Sequence, residues 1–241
     1  MKLFITSSPF VDGADRAIME PKNDLVRQLK RALPPFCRCL YICSSPDRRD
    51  LNCTFGADVF QIFAQEGMPF SHYAVLDGDN AYETKKLVME SDLIVLAGGH
   101  VPTQNAFFHK IRLPDILKDY DGVVLGISAG SMNMAEVVYA QPEEPGESGP
   151  AYKRFLYGLG LTDINILPHY QKVKDDLVDG LRLYEDITYP DSMGKCFYVL
   201  PDGSYIYQDD CSCLLYGEGY RICDGIMTRL TEQGQILDLN R

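Results

Sequence analysis

The stretch VVLGISAGSMNMA, residues 123–135, decides the fold of this chain. It opens with apolar residues that do not alternate with polar ones, the pattern of a strand buried on both faces. Ser128 then stands among small residues, and a helix-forming run follows. Strand, tight turn and helix make up the repeating unit of a parallel sheet covered by helices. The preceding sequence repeats that unit. KLFIT (2–6), CRCLYIC (37–43), HYAVLD (72–77) and LIVLAGG (93–99) read as strands. Residues 21–33, 50–67, 80–91, 103–120 (with a break expected at Pro114) and 129–138 read as helices. The expected fold is α/β, with a mostly parallel central sheet and helices on both faces.

After residue 139 the character changes. Residues 140–154, AQPEEPGESGPAYKR, read as a long acidic surface loop. DINILPHY is a further strand that ends at His169, and residues 172–187 read as a helix despite Gly180. From Lys195 the chain is β-rich. KCFYVLPDGSYIYQDD and YRICDGIMTRL each place Asp-Gly between alternating runs, a hairpin signal. No linker or repeat is visible, so residues 1–241 are expected to form one domain with a C-terminal β-hairpin extension.

Composition narrows the function classes. The 241 residues are 46% hydrophobic and 24% charged, enough to build a full core, and carry a formal net charge of −11. An acidic chain lacks the clustered Lys and Arg that phosphate backbones or anionic membranes require, so neither is an expected partner. No run approaches the about 18 apolar residues of a membrane span, and the N-terminus lacks a signal-peptide pattern. A cytoplasmic monomer or homodimer is expected. The eight cysteines lack paired metal-ligand spacing and are expected to be reduced and structural, with no metal and no organic cofactor.

Residues 126–130, GISAG, match G-x-S-x-G, which places a serine hydroxyl on a sharp strand-to-helix turn. The same residues suit a plain tight turn. A nucleophilic serine needs a base. Of four histidines, His72 opens a strand and His109 lies in a helix, whereas His100 and His169 follow strand ends. Functional groups gather along that edge of an open parallel sheet. His169 is the better base candidate. Gly98 and Gly99 end the neighbouring strand, so N–H groups of Gly99 and Ala129 would suit an oxyanion hole, although a plain turn needs glycine equally. Glu20, Glu136, Glu143 and Glu144 are candidate acids, and spacing does not choose among them.

LAGGHVPTQ, GISAGSMNMA, LGLTDINILPHY and YVLPDGSYI together resemble the peptidase E (aspartyl dipeptidase) and cyanophycinase family of serine peptidases, whose fold is class I glutamine amidotransferase-like and flavodoxin-like. The resemblance runs over nearly the whole chain. It implies Ser128 as nucleophile, His169 as base, Gly98 and Gly99 at the oxyanion site, and an acid that is either Glu20 or Glu143. It implies a small peptide as substrate and a dipeptidase-like enzyme working through an acyl-enzyme on a Ser-His-Glu type triad. A cyanophycinase-like or isoaspartyl-peptide hydrolase, or an amidotransferase-like protein without peptidase activity, is the alternative. His100 and Gln104 follow the glycine pair where the family pattern differs. The arginine that binds an aspartyl carboxylate in the dipeptidase has no clean match, so Lys174 and Arg182 stand as substrate-binding candidates. If the acidic loop lined the pocket, it would disfavour anionic substrates.

Overall fold

The computed structural model describes residues 1–12 and 17–240. Its main sheet has eight strands in the order β18 (Ile236–Asp238), β15 (Cys213–Tyr216), β14 (Tyr205–Gln208), β1 (Lys2–Thr6), β7 (Val123–Ile127), β6 (Leu93–Leu96), β4 (Arg38–Ile42) and β5 (His72–Leu76). The five from β1 to β5 in that order run parallel, and the other three are antiparallel. All four residues of β6, and Val123 to Leu125 of β7, are buried, so both faces of the sheet centre are covered as their unbroken apolar runs require. The fold is a flavodoxin-like α/β arrangement. Helices α1 (Leu25–Ala32), α2 (Arg49–Gln65), α3 (Thr84–Met89), α4 (Val101–Lys110), α5 (Leu113–Leu117) and α6 (Ala129–Met132) connect the parallel strands and follow β7.

A second sheet orders β10 (Ile166–Leu167), β13 (Cys196–Val199), β16 (Gly219–Cys223) and β17 (Ile226–Thr231). It has its own apolar cluster, with Tyr139, Leu167, Val178, Tyr184 and Phe197 buried. Three short ribbons complete the strands: β2 (Phe10–Asp12) with β3 (Ala17–Met19), β8 (Val137–Tyr139) with β9 (Phe155–Tyr157), and β11 (Leu177–Val178) with β12 (Leu181–Arg182). Among the described residues no helix is long and apolar enough to cross a membrane.

Several expectations are corrected. Helix α1 starts at Leu25 rather than Pro21 because Asp24 is left-handed, φ 66°. The break before α5 falls at Arg112, φ 56°, while Pro114 sits in the first turn of α5, where its missing N–H costs nothing. Helix α6 is one turn long, and the chain returns to extended structure at β8. The expected helix over 172–187 is short α7 (Tyr170–Val173), the β11–β12 hairpin and a π-helical turn, Leu183–Thr188. Asp179 and Gly180 both have positive φ, 51° and 82°, the backbone of a two-residue primed turn. The Asp224–Gly225 hairpin forms as expected between β16 and β17.

The other Asp-Gly is not a hairpin. Strand β13 pairs with β10 and β16, whereas β14 pairs with β1 and β15, so residues 200–204 cross from one sheet to the other. Nor are all the cysteines reduced. Cys196 and Cys223 lie opposite each other on antiparallel β13 and β16, Cα atoms 4.4 Å apart, and form a disulfide. The other six are free thiols, of which Cys37, Cys39, Cys43 and Cys213 are buried. Burial pushes Cys37 and Cys43 up to about 12 and Cys213 up to about 11, which keeps them protonated and inert.

Candidate active site

Strands β1 and β7 lie side by side with Thr6 opposite Ile127, so Ser7 and Ser128 emerge together at the same sheet edge. Ser128 links β7 to α6 with φ 52° and ψ −113°, a conformation that costs a non-glycine residue about 1–3 kcal/mol. The surroundings hold it there. Its N–H donates to the Ser7 carbonyl at 2.8 Å and the Thr6 carbonyl at 3.2 Å. Ser131 Oγ donates to Thr6 O and accepts from Thr6 N, both at 2.8 Å. The flanking glycines are required by space. A Cβ on Gly130 would stand 2.3 Å from Leu96 O, and one on Gly126 2.6 Å from Ser131 N. Gly99 has φ 151°, and a Cβ there would stand 2.3 Å from Ser44 Oγ.

His169 follows β10 through Pro168 and takes a left-handed conformation, φ 59°. Its Nδ1 lies 2.6 Å from Asp202 Oδ1. Asp202 stands on the crossover between the two sheets. Its side chain is only 10% exposed, and each oxygen has two partners. Oδ1 accepts from His169 and from Ser7 Oγ at 2.8 Å. Oδ2 accepts from Gln171 Nε2 at 2.7 Å and Lys172 Nζ at 2.8 Å. Burial opposes its charge, yet the hydrogen bonds from His169, Lys172 and Ser7 hold its pKa far below the usual carboxylate range. An ionised carboxylate only accepts, so Nδ1 carries a hydrogen, and Nε2 of the neutral ring keeps its lone pair.

Ser7, fully buried, ties these parts together. Its carbonyl accepts from Ser128 N, its hydroxyl accepts from His169 N at 2.7 Å, and the same hydroxyl donates to Asp202. Among the described residues neither Ser128 Oγ nor His169 Nε2 has a hydrogen-bond partner, and they are not bonded to each other. Both residues line one small cavity of about 120 Å³, together with Gly99 and Glu143. Catalytic hydrogen bonds are often long before substrate arrives.

Of the expected acids, neither Glu20 nor Glu143 contacts His169; Asp202 does. Glu20 is buried against Gly203, its Oε1 accepting from Lys22 N at 2.7 Å, so it braces the turn beside Asp202. Glu143 lines the cavity instead. Burial there pushes its carboxyl up, with the His100 charge pulling the other way. The segment YVLPDGSYI contained Asp202, but Asp-Gly read as a hairpin turn concealed it. Ala129 is buried at the start of α6. Gly98 packs beside the turn, where an added Cβ would lie 3.6 Å from Ser128 Cβ.

The four substrate-binding candidates lie elsewhere. His100 bonds Thr103 Oγ1 at 2.7 Å and Glu147 Oε1 at 2.8 Å, fastening the acidic loop to the start of α4. Gln104 is fully buried, donating to Ala97 O at 2.7 Å and accepting from Asn133. Lys174 is exposed, and Arg182 is paired with Asp186 at 2.6 Å. His100, Glu144 and Glu147 place ligand-type atoms within 4.8 Å of one another. Both Glu147 oxygens are already engaged, by His100 and by the N–H groups of Glu143 and Glu144.

No curated protein matches the chain. Among solved structures, the 1.5 Å crystal structure of a candidate peptidase E protein from Listeria monocytogenes EGD-e is similar in fold, with a TM-score of 0.57 at 14% identity over 95% of this chain and 98% of that one. The sequence model of Peptidase family S51 matches residues 49–212, more than half of the chain and a span that holds Ser128, His169 and Asp202. A serine-type peptidase by that match, the chain belongs to peptidase family S51.

Proposed function

We propose that this peptidase cleaves short peptides through an acyl-enzyme, with Ser128 as nucleophile, His169 as general base and acid, and Asp202 as the carboxylate that orients the ring. The observation that carries the reading is the His169 Nδ1–Asp202 contact of 2.6 Å, which leaves Nε2 unpartnered beside the cavity that Ser128 lines. Substrate binding brings the scissile carbonyl to Ser128 Oγ. His169 Nε2 takes the hydroxyl proton as the C–O bond forms, and Asp202 stabilises the imidazolium. The N–H groups of Gly99 and Ala129 receive the oxyanion, whose charge develops only in the transition state. His169 returns the proton to the leaving amine, and water then repeats the sequence on the ester. The strained turn at Ser128 is a nucleophile elbow in this reading: its fixed backbone presents Oγ without a conformational search. The cavity volume of about 120 Å³ favours a substrate no larger than a dipeptide, with a single residue on the acyl side.

Ser128→Ala tests the reading. Hydrolysis of a cleaved dipeptide should fall by about four orders of magnitude, with fold and stability retained. Hydrolysis by the variant within tenfold of the parent would overturn it, as would failure of a fluorophosphonate to label Ser128 in the folded parent.

A further inference from the structure

The cavity shared by Ser128 and His169 has a definite sign and polarity. Its walls include Val101, Met132, Val173, Val178 and Leu183. Two carboxylates, Glu143 and Asp176, join them, and among the described residues no Lys or Arg lines it. Of the cations on the same segments, Lys172 is bonded to Asp202 at 2.8 Å and Arg182 to Asp186 at 2.6 Å, and Lys174, exposed beside Val173, does not line the cavity. We propose that this enzyme's substrates are short peptides offering a protonated amine together with an uncharged, apolar side chain on the acyl side, and that N-terminal aspartyl peptides are poor substrates. The proposal rests on the peptidase reading above.

Glu143 and Asp176 come from separate segments, the loop between β8 and β9 and the turn after α7. Their meeting at one cavity is therefore a product of the fold and not of local acidic sequence. Asp176 has no ion pair or side-chain hydrogen bond among the described residues. The Glu143 carboxyl feels His100, which is itself bonded to Glu147, the like charges of Glu147 and Glu144, and the Val101 N–H, and it has no ion pair of its own among the described residues. A substrate ammonium would supply the missing counter-charge to both. A substrate carboxylate would meet two like charges at the cavity wall, a juxtaposition that penalises a wrong partner. The apolar wall gives a Leu- or Met-sized side chain a favourable place and gives aspartate none.

The amine is the peptide's α-ammonium, and the assay separates it from a lysine side chain. The full chain is given Leu-Ala, Met-Ala, Lys-Ala and Asp-Ala, each with a free and an acetylated N-terminus. Leu-Ala and Met-Ala should exceed Asp-Ala in kcat/KM by about tenfold or more, the scale of one charge-assisted interaction. Acetylation should raise KM by a similar factor for Leu-Ala and Met-Ala; acetyl-Lys-Ala cleaved better than Leu-Ala would place the bound amine on the side chain and overturn the proposal. Glu143→Gln with Asp176→Asn should raise KM for the free peptides, leave kcat within about twofold, and leave the acetylated Leu and Met peptides unchanged. Asp-Ala as the best substrate, or acetylated Leu-Ala cleaved as well as the free peptide, would overturn the proposal. Labelling of Ser128 by a fluorophosphonate with none of the peptides cleaved would overturn the substrate class and leave the nucleophile in place. Absence of both labelling and cleavage would remove the peptidase reading itself.

Discussion

Replacing Ser7 with alanine removes one oxygen and strands two partners. The hydroxyl is fully buried and makes two short bonds, accepting from His169 N at 2.7 Å and donating to Asp202 at 2.8 Å. Its loss leaves the part-buried His169 N–H unpaired, at about 1–3 kcal/mol, and takes from Asp202 a hydrogen bond to charge of about 1.5–3 kcal/mol. These losses share a network and do not add fully, so Ser7→Ala should lower unfolding stability by about 2–4 kcal/mol in urea titration. The Ser7 carbonyl still holds Ser128 N, so the serine turn should persist. His169, φ 59°, loses the contact that anchors its backbone, and a ring displaced by a fraction of an ångström should lower kcat about tenfold to a hundredfold. Ser7 does not line the cavity, so KM should stay within about twofold. A variant with unchanged kcat and a midpoint shift worth under about 0.5 kcal/mol would refute the claim that Ser7 positions the histidine.

Other outcomes follow from the same contacts. Asp202→Asn should lower kcat by about three to four orders of magnitude by disturbing the histidine tautomer. Asp202 has a depressed folded-state pKa, so its stabilising share is complete above its unfolded value of about 3.9 and is lost as pH falls through the folded value. Parent and variant should therefore differ most near neutrality and converge in acid, as read by urea midpoints across pH. Gly130→Ala forces a Cβ to within 2.3 Å of the Leu96 carbonyl and should cost about 2–3 kcal/mol, with loss of activity, measured by denaturation and peptide turnover. His100→Ala should free the acidic loop from α4, speeding limited proteolysis within residues 140–154 while leaving kcat within about threefold. Cys196→Ser opens a covalent link spanning 27 residues and should lower stability by about 2–4 kcal/mol under non-reducing conditions.

What could be read from the chain was what burial and local geometry write into neighbouring residues. Strands β6 and β7 announced themselves because both faces are covered, so every residue is apolar. Ser128 stood out because its turn demands glycine on both sides, and His169 because it follows a strand. Pairing partners were not legible. The Asp-Gly at 202–203 correctly marks a turn, but turn chemistry is local, whereas the choice between a hairpin and a change of sheet depends on residues far away in sequence. Asp202 was lost with that choice. At 172–187 the apolar spacing fitted a helix, and the Asp179–Gly180 turn outweighed it. The disulfide depends on a strand register that no spacing of eight cysteines reveals. Ser7 carries no pattern at all, because a serine after a strand is ordinary until Ser128, His169 and Asp202 arrive beside it.

The crossover that bears Asp202 also makes the site a gauge of alignment between two halves of the molecule. Ser128 is fixed to the large sheet, His169 to the end of the small one, and Asp202 to the chain that joins them. Ile166 and Tyr198 of the small sheet pack into the large core, so a slip of that sheet by less than an ångström would ask only slight repacking there and would still carry His169 away from the serine turn. With the roles proposed for Ser128, His169 and Asp202, catalysis should be more fragile than the fold, and in rising denaturant turnover should fade before far-ultraviolet dichroism or tyrosine fluorescence registers any loss of structure.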